Sequence, residues 1–355
     1  IKEYVKAGRW EVIGAMWVEP DCNLPSGESF VRQLLEGRKF FQKELGVTPK
    51  TVWLPDVFGN SYGMPQILAK SGIKYFVTHK PCVWNDTNKL NHHTFWWQGP
   101  DGSRVFAALS PSHFVGTCEP NHIMLNWDNY TDKANIGESM YCYGWGDGGG
   151  GVSPDMIENA KRLSHIVGMP DTRIVNAEES LDAIYNRASS KNLPVLQSDI
   201  YLEAHRSVPT IRTEIKKYNR RCERLLHDAE LYGVMAEQYG YKYDSKSIEE
   251  FLRMFLTNQF HDVLPGTHVA VAYDSIIKQY KKAVELGEKV RNEALEVIAR
   301  NVKFDQTRGR AIAVFNSLSY AATQLITLKS GDFIIEDDNG NLAATQKVCD
   351  LNGNE

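Results

Sequence analysis

Short apolar runs alternate with segments of helical period through the first half of the chain, and this alternation constrains the fold most. Glu11 to Met16, Thr51 to Leu54, Lys74 to Thr78 and Arg104 to Leu109 read as strands. Arg173 to Asn176 and Val195 to Gln197 are further strand candidates. Between them lie helical segments. Ser26 is positioned to cap a helix from about Glu28 to Leu45, with Phe30, Val31, Leu34 and Leu35 expected on one face. Met64 to Ser71, closed by Gly72, and Asp155 to Val167 and Glu178 to Lys191 follow the same pattern. Alternating β and α elements predict an α/β fold with a mainly parallel sheet, open or closed into a barrel.

The pattern then changes. Arg212 to Tyr239, Ile248 to Phe260 and Ala270 to Arg300 are helical in succession, which predicts a bundle. Ala311 to Phe315, Gln324 to Leu328 and Asp332 to Ile335 then read as short strands, with a turn at Asp338-Asn339-Gly340, as at the start of an all-β domain. The expected division is 1–205, 206–304 and 305–355, with both ends of the chain expected to be cut.

Composition excludes several classes. A net charge of -4 gives no electrostatic case for nucleic acid or an anionic membrane surface. No apolar run approaches the length needed to span a bilayer. The cysteines Cys22, Cys82, Cys118, Cys142, Cys222 and Cys349 show no CxxC spacing, so a reducing, cytoplasmic setting is the expectation. The sequence leaves a homo-oligomer open.

Three segments could carry chemistry. Trp53-Leu54-Pro55-Asp56-Val57-Phe58-Gly59 places a carboxylate where a strand ends, the edge at which α/β folds bind ligands. Asp56 could equally be a turn residue capping the next helix. Tyr143-Gly144-Trp145-Gly146-Asp147 runs into Gly148-Gly149-Gly150-Gly151, a stretch that admits close backbone approach or loop motion. Asp147 beside Trp145 suits a general acid with an apolar neighbour; a surface turn fits as well. Neither nucleotide-binding glycine motif is present. Phe260-His261-Asp262-Val263 ends a helix, and His261 could ligate a metal with Asp262 behind it, or the two could form a capping pair. His92-His93 is a poor chelate, because neighbours on a strand point to opposite faces. Two carboxylates, a histidine and a divalent ion would suit glycoside hydrolysis.

These segments, together with Trp17-Val18-Glu19-Pro20-Asp21, Asn23-Leu24-Pro25-Ser26-Gly27-Glu28, His92-His93-Thr94-Phe95, Asp101-Gly102-Ser103-Arg104-Val105 and Val314-Phe315-Asn316-Ser317, resemble glycoside hydrolase family 38, the class II α-mannosidases, most of all its cytosolic-type branch. The resemblance runs over nearly the whole chain. It implies the C-terminal part of a seven-stranded β/α barrel, a helical bundle and the start of a β-sandwich. It also implies a retaining α-mannosidase that cleaves terminal α-linked mannose from an oligosaccharide with the help of zinc or another divalent cation. Residue by residue, it makes Asp56 the nucleophile and a metal ligand, His261 a metal ligand with Asp262 beside it, Asp147 the acid/base, and Phe58, Trp145 and His205 sugar contacts.

Two departures stand out. The family's early His-x-Asp motif, which supplies its other metal ligands, does not occur here and is expected upstream of Ile1, so this chain alone is expected to bind metal weakly and to be inactive. After His205-Arg206 the family's Gly-Thr-Tyr-Thr is replaced by Ser207-Val208-Pro209-Thr210. The rival readings are a deacetylase-like hydrolase using a metal-activated water, and a non-catalytic glycan-binding remnant.

Overall fold

The computed structural model describes residues 1–305, 307, 309–328, 334–337 and 339–347. Five strands form one mixed sheet: β1 Thr51–Trp53, β2 Tyr75–Thr78, β3 Thr94–Gln98, β4 Arg104–Leu109 and β5 Val195–Leu196. Their order is β1-β2-β4-β3-β5. The pairs β1–β2, β2–β4 and β3–β5 are parallel, and β3–β4 is antiparallel. The exception has a chain-length cause. Only Gly99-Pro100-Asp101-Gly102-Ser103 joins β3 to β4, and a parallel crossover needs a dozen residues or more. The fold is therefore α/β, as expected, with a mixed sheet.

Side-chain alternation puts apolar residues on both faces of the sheet, so both must be covered. Phe76, Phe95, Trp97, Val105, Ala107 and Leu109 share a core with Phe30 and Leu34 of the helix Gly27–Leu45 and with Met64 and Leu68 of the helix Met64–Lys70. Tyr75, Val77, Phe106 and Ala108 face the opposite way, onto Leu181, Ile184 and Ala188 of the helix Ala177–Ala188. Ser26 caps the helix Gly27–Leu45 by accepting from the Ser29 amide. On that helix Phe30 and Leu34 are buried, but Leu35 is 57% exposed; the inward stripe continues instead through Gln33 and Gly37.

Two expected strands do not form. The segment 11–16 reaches β1 through a single bond, Gly14 N to Thr51 O (3.2 Å), because Ala15 turns into the left-handed region at φ 63. The segment 173–176 ends as a helix cap: the Asn176 side chain accepts from the Glu179 amide, and the Glu11 carboxylate accepts from the amides of Ala177 and Glu178.

The helices Thr213–Glu237, Ser245–Thr257 and Tyr273–Ala299 pack around Leu225, Ala229, Phe251, Phe255, Tyr280 and Val284. Buried amides tie them to the sheet-covering helix. Gln33 donates to the Leu256 carbonyl and to Gln259, and Gln259 donates to Asn219. All of this lies in one compact unit, Ile1–Val302. In the second unit the segments 311–315 and 324–328 make no ladder among the described residues, and a bridge pairs Glu336 with Leu342. Part of the 332–335 candidate strand, Asp338 of the expected turn, and Cys349 lie outside the described residues. Among those described, no helix is long and apolar enough to cross a membrane.

Candidate active site

Asp56 stands three residues past the carboxyl end of β1. Gly59, at φ +97, lets the chain turn there: a Cβ would sit 3.2 Å from the Ile200 carbonyl oxygen. That close passage permits the paired bonds between Asn60 and Ile200. His261 arrives from the other side of the molecule. The segment 19–21 pairs with the residues after the helix Ser245–Thr257, through Asp21 N to Gln259 O (2.8 Å) and His261 N to Glu19 O (3.1 Å). His261 Nε2 then lies 3.1 Å from Asp56 Oδ2, and Nδ1 lies 3.1 Å from the Glu19 carbonyl oxygen. Both ring nitrogens face acceptors, which favours the doubly protonated imidazolium. Burial alone would lower the His261 pKa, but the bond to Asp56 and the Glu19 charge outweigh it and raise it.

Lys80 completes the cluster. It follows β2, the neighbour of β1, and its side chain is 4% exposed. Its Nζ lies 2.7 Å from Asp56 Oδ1 and donates to the Asp56 backbone oxygen at 2.6 Å. Burial by itself would raise the Asp56 carboxyl; the bonds from His261 and Lys80 prevail and lower it to about 2. Asp56 is thus held ionised, with one oxygen on Lys80 and the other on His261.

Glu19 lies close enough to feel His261, Asp56, Lys80 and Asp147, and burial pushes its carboxyl up to about 7. Its Oε2 is buried with no hydrogen-bond partner among the described residues, as is Oδ2 of Asp21. At the ends of β2 and β4, the hydroxyls of Thr78 and Ser110 are likewise buried without hydrogen-bond partners among the described residues. Burial, then the neighbouring His113, lowers the His79 pKa to about 3, so that ring is neutral.

Phe58 and His205 meet as well, with ring centroids 4.4 Å apart, and Phe58 stands edge-on to His261 at 5.9 Å. Asp147 and Trp145 lie on an exposed loop anchored by the reciprocal bonds of Gly116 and Gly144. Gly146 has φ +51, and a Cβ there would collide with Val115. Asp147 reaches the cluster through its charge on Glu19 and makes no hydrogen bond to Asp56 or His261. Asp262 bonds to Thr267 Oγ1 (2.5 Å) and acts on His261 through charge. The group that orients the ring is the Glu19 carbonyl. His92 and His93 serve structure: His92 Nδ1 pairs with Asp132, and the His93 and Thr94 amides donate to the same carboxylate.

Sequence reasoning missed Lys80 and Glu19 as site members. The available signal for Lys80 was its position, a lysine at the end of an apolar strand run adjacent to the Asp56 strand. As donors, a carboxylate oxygen and an imidazole nitrogen whose far side rests on a carbonyl suit zinc or a similar divalent ion. Among the described residues no group of three or more histidine, cysteine or acidic side chains is placed to hold a metal ion.

Human "Alpha-mannosidase 2C1" is 34% identical over 331 residues, 92% of this chain and 31% of that protein. "Alpha-mannosidase" of Saccharomyces cerevisiae is 33% identical over 318 residues, 86% of this chain and 29% of that protein. The chain thus spans about a third of the length of these relatives. Among solved structures, "an alpha-mannosidase from Enterococcus faecalis V583" shares the fold with a TM-score of 0.69 at 20% identity, covering 84% of this chain and 35% of that one. The "Alpha mannosidase middle domain" matches residues 203–298. Asp56, Lys80 and Glu19 fall within residues 1–211, which match the "Glycosyl hydrolases family 38 N-terminal domain", and the chain belongs to that family.

Proposed function

We propose that this chain is part of a retaining α-mannosidase that removes terminal α-linked mannose from oligosaccharides by double displacement. The observation that carries the reading is the ionised Asp56, held by Lys80 at 2.7 Å and by His261 at 3.1 Å at the carboxyl edge of the sheet. In the first step the Asp56 carboxylate attacks the anomeric carbon, the glycosidic C–O bond breaks, and Asp147 gives its proton to the leaving oxygen. In the second step Asp147, now a carboxylate, takes a proton from water. The oxygen of that water joins the anomeric carbon and releases Asp56. Phe58 and His205 offer ring faces to the sugar, with Trp145 beside the acid.

Asp56 and His261 would hold a divalent ion, zinc by donor chemistry, with the remaining ligands from chain beyond this stretch; such an ion would bind sugar hydroxyls and stabilise developing charge. The same reading divides the chain into part of a β/α barrel over 1–205, a helical bundle over 206–304 and the beginning of a β-sandwich over 305–355. The two family matches overlap over residues 203–211, beside the first of these boundaries. Unpaired thiols at Cys22, Cys82, Cys118, Cys142 and Cys222 are in keeping with a reducing, cytoplasmic setting.

The test uses the full-length protein and a fluorinated mannose-configured inhibitor that traps the glycosyl ester. Label is expected on Asp56, and Asp56→Ala is expected to abolish turnover with the fold intact. Near-normal activity in that variant overturns the assignment, and label on no carboxylate turns the reading toward attack by a metal-activated water.

A further inference from the structure

The aromatic residues of the site form a graded series leading away from Asp56. Phe58 is 7% exposed and adjoins His261. Its ring is 4.4 Å from His205, and His205 is 5.6 Å from Trp84, with the planes tilted by 36° and 33°. Trp84, at the outer end, is 39% exposed. Lys80 Nζ stands 4.5 Å from the Phe58 centroid and 4.8 Å from that of Trp84, so the cation that pins Asp56 also braces both rings.

A lone tryptophan on a surface requires no explanation. This one is framed. Buried Asn85, its neighbour, donates to the Tyr201 carbonyl (2.8 Å) and accepts from the Glu203 amide (2.8 Å). The Glu203 carboxylate accepts from the Asp86 amide (2.8 Å), the Thr87 amide and hydroxyl, and the Asn88 amide. The loop carrying Trp84 and the loop carrying His205 are therefore locked together, although well over a hundred residues of chain separate them. His205 itself sits at φ 64, a conformation that a non-glycine residue holds only where its surroundings impose it.

We propose that Trp84 is the stacking platform of an outer subsite, binding the hexose ring next to the scissile bond on the leaving-group side. The inference rests on the mannosidase reading. The cleaved mannose is terminal, so any second ring along the series belongs to the departing oligosaccharide. Sugar C–H faces are apolar and carry slight positive charge, which matches the negative face of an indole. Trp84 thus selects oligosaccharides over substrates lacking a second ring.

The experiment compares full-length wild type, Trp84→Ala and Trp84→Phe on α-linked mannotriose and on α-mannosyl fluoride, which has no second ring. In Trp84→Ala, KM for mannotriose is expected to rise about tenfold, the worth of a lost aromatic contact face. Turnover of the fluoride should stay within about twofold, and Trp84→Phe should recover most of the loss. Equal losses on both substrates, or an unchanged KM for mannotriose, overturn the subsite. If wild type hydrolyses neither substrate, the mannosidase reading falls on its own. Calorimetric titration with mannotriose then decides the subsite: binding weakened in Trp84→Ala supports it, and unchanged or undetectable binding overturns it.

Discussion

Lys80 and Asp56 form an ion pair at 2.7 Å in which the lysine is almost wholly buried and the carboxylate is 24% exposed. The lysine also spans from the Asp56 backbone oxygen to the rings of Phe58 and Trp84. One side chain therefore fixes the proposed nucleophile by charge and by backbone. Lys80→Met preserves much of the volume and removes the charge. Stability is expected to fall by about 2 kcal/mol, less than for a fully buried pair because water reaches Asp56. In the full-length enzyme kcat is expected to drop about a hundredfold or more as Asp56 loses its fixed aim. Chemical denaturation and steady-state kinetics check both, and unchanged kcat would show that His261 alone positions the carboxylate.

The pair of interlocked loops gives a second prediction. Asn85 is fully enclosed and satisfies groups on both the Trp84 and His205 segments. Asn85→Ala leaves the Tyr201 carbonyl and the Glu203 amide without these partners, at a cost of about 2 kcal/mol. Hydrogen exchange should quicken in residues 84–88 and 201–205 while the β2 and β4 amides stay protected. Uniform loss of protection would instead mean that the two loops are part of the global folding unit.

Asp56 and His261 were legible in the sequence as candidates, because one follows an apolar strand and the other ends an apolar helix. Their meeting was not legible from local pattern, since 205 residues separate them and the contact depends on the 19–21 segment pairing beside the helix end. Lys80 escaped notice because a lysine after a strand ordinarily points to water; only the sheet order, with β2 beside β1, turns it inward. The strand predicted over 11–16 failed at Gly14 and Ala15, whose φ values are both positive, and nothing in the Ala15 side chain announces it. Antiparallel β3 is a lesson in link length, as its apolar pattern alone does not reveal direction.

Acid sensitivity offers a third prediction, away from the proposed nucleophile. His93 is buried, and burial lowers its pKa from 6.5 to about 4 despite the nearby Asp132. The Thr131 amide donates to its Nδ1, which requires the neutral ring. As pH falls, the unfolded chain takes up the proton first. The stability contributed by neutral His93 is fully present above about pH 6.5 and is lost progressively down to about pH 4. The whole excursion amounts to about 3 kcal/mol. His93→Gln, which titrates nowhere in this window, should show a flatter decline of the urea midpoint between these pH values. Parallel curves for the two proteins would assign the acid transition to other groups.

The last prediction sets two effects of opposite sign against each other. Gly37 lies in the middle of the helix Gly27–Leu45, where alanine would ordinarily stabilise by about 1 kcal/mol. Here an added Cβ would collide with the backbone of Ala15, Met16 and Trp17, which cannot rotate away as a side chain would. That backbone is bound to the same helix, through Trp17 N to Gln33 O (2.9 Å) and Val18 N to Gln33 Oε1 (3.2 Å). Gly37→Ala must therefore push the segment off the helix and break these bonds, and overpacking of this kind costs about 1–3 kcal/mol. The collision outweighs the propensity gain, so a lower denaturation midpoint is expected. Two residues further on, Glu19 carries the carbonyl that receives both the amide and the Nδ1 of His261. Displacing the segment should thus misalign His261 against Asp56, and the full-length variant should lose activity even where it is fully folded. A Gly37→Ala protein that is more stable and equally active would show that the 15–17 backbone can yield at no cost, and that His261 is held by something other than Glu19.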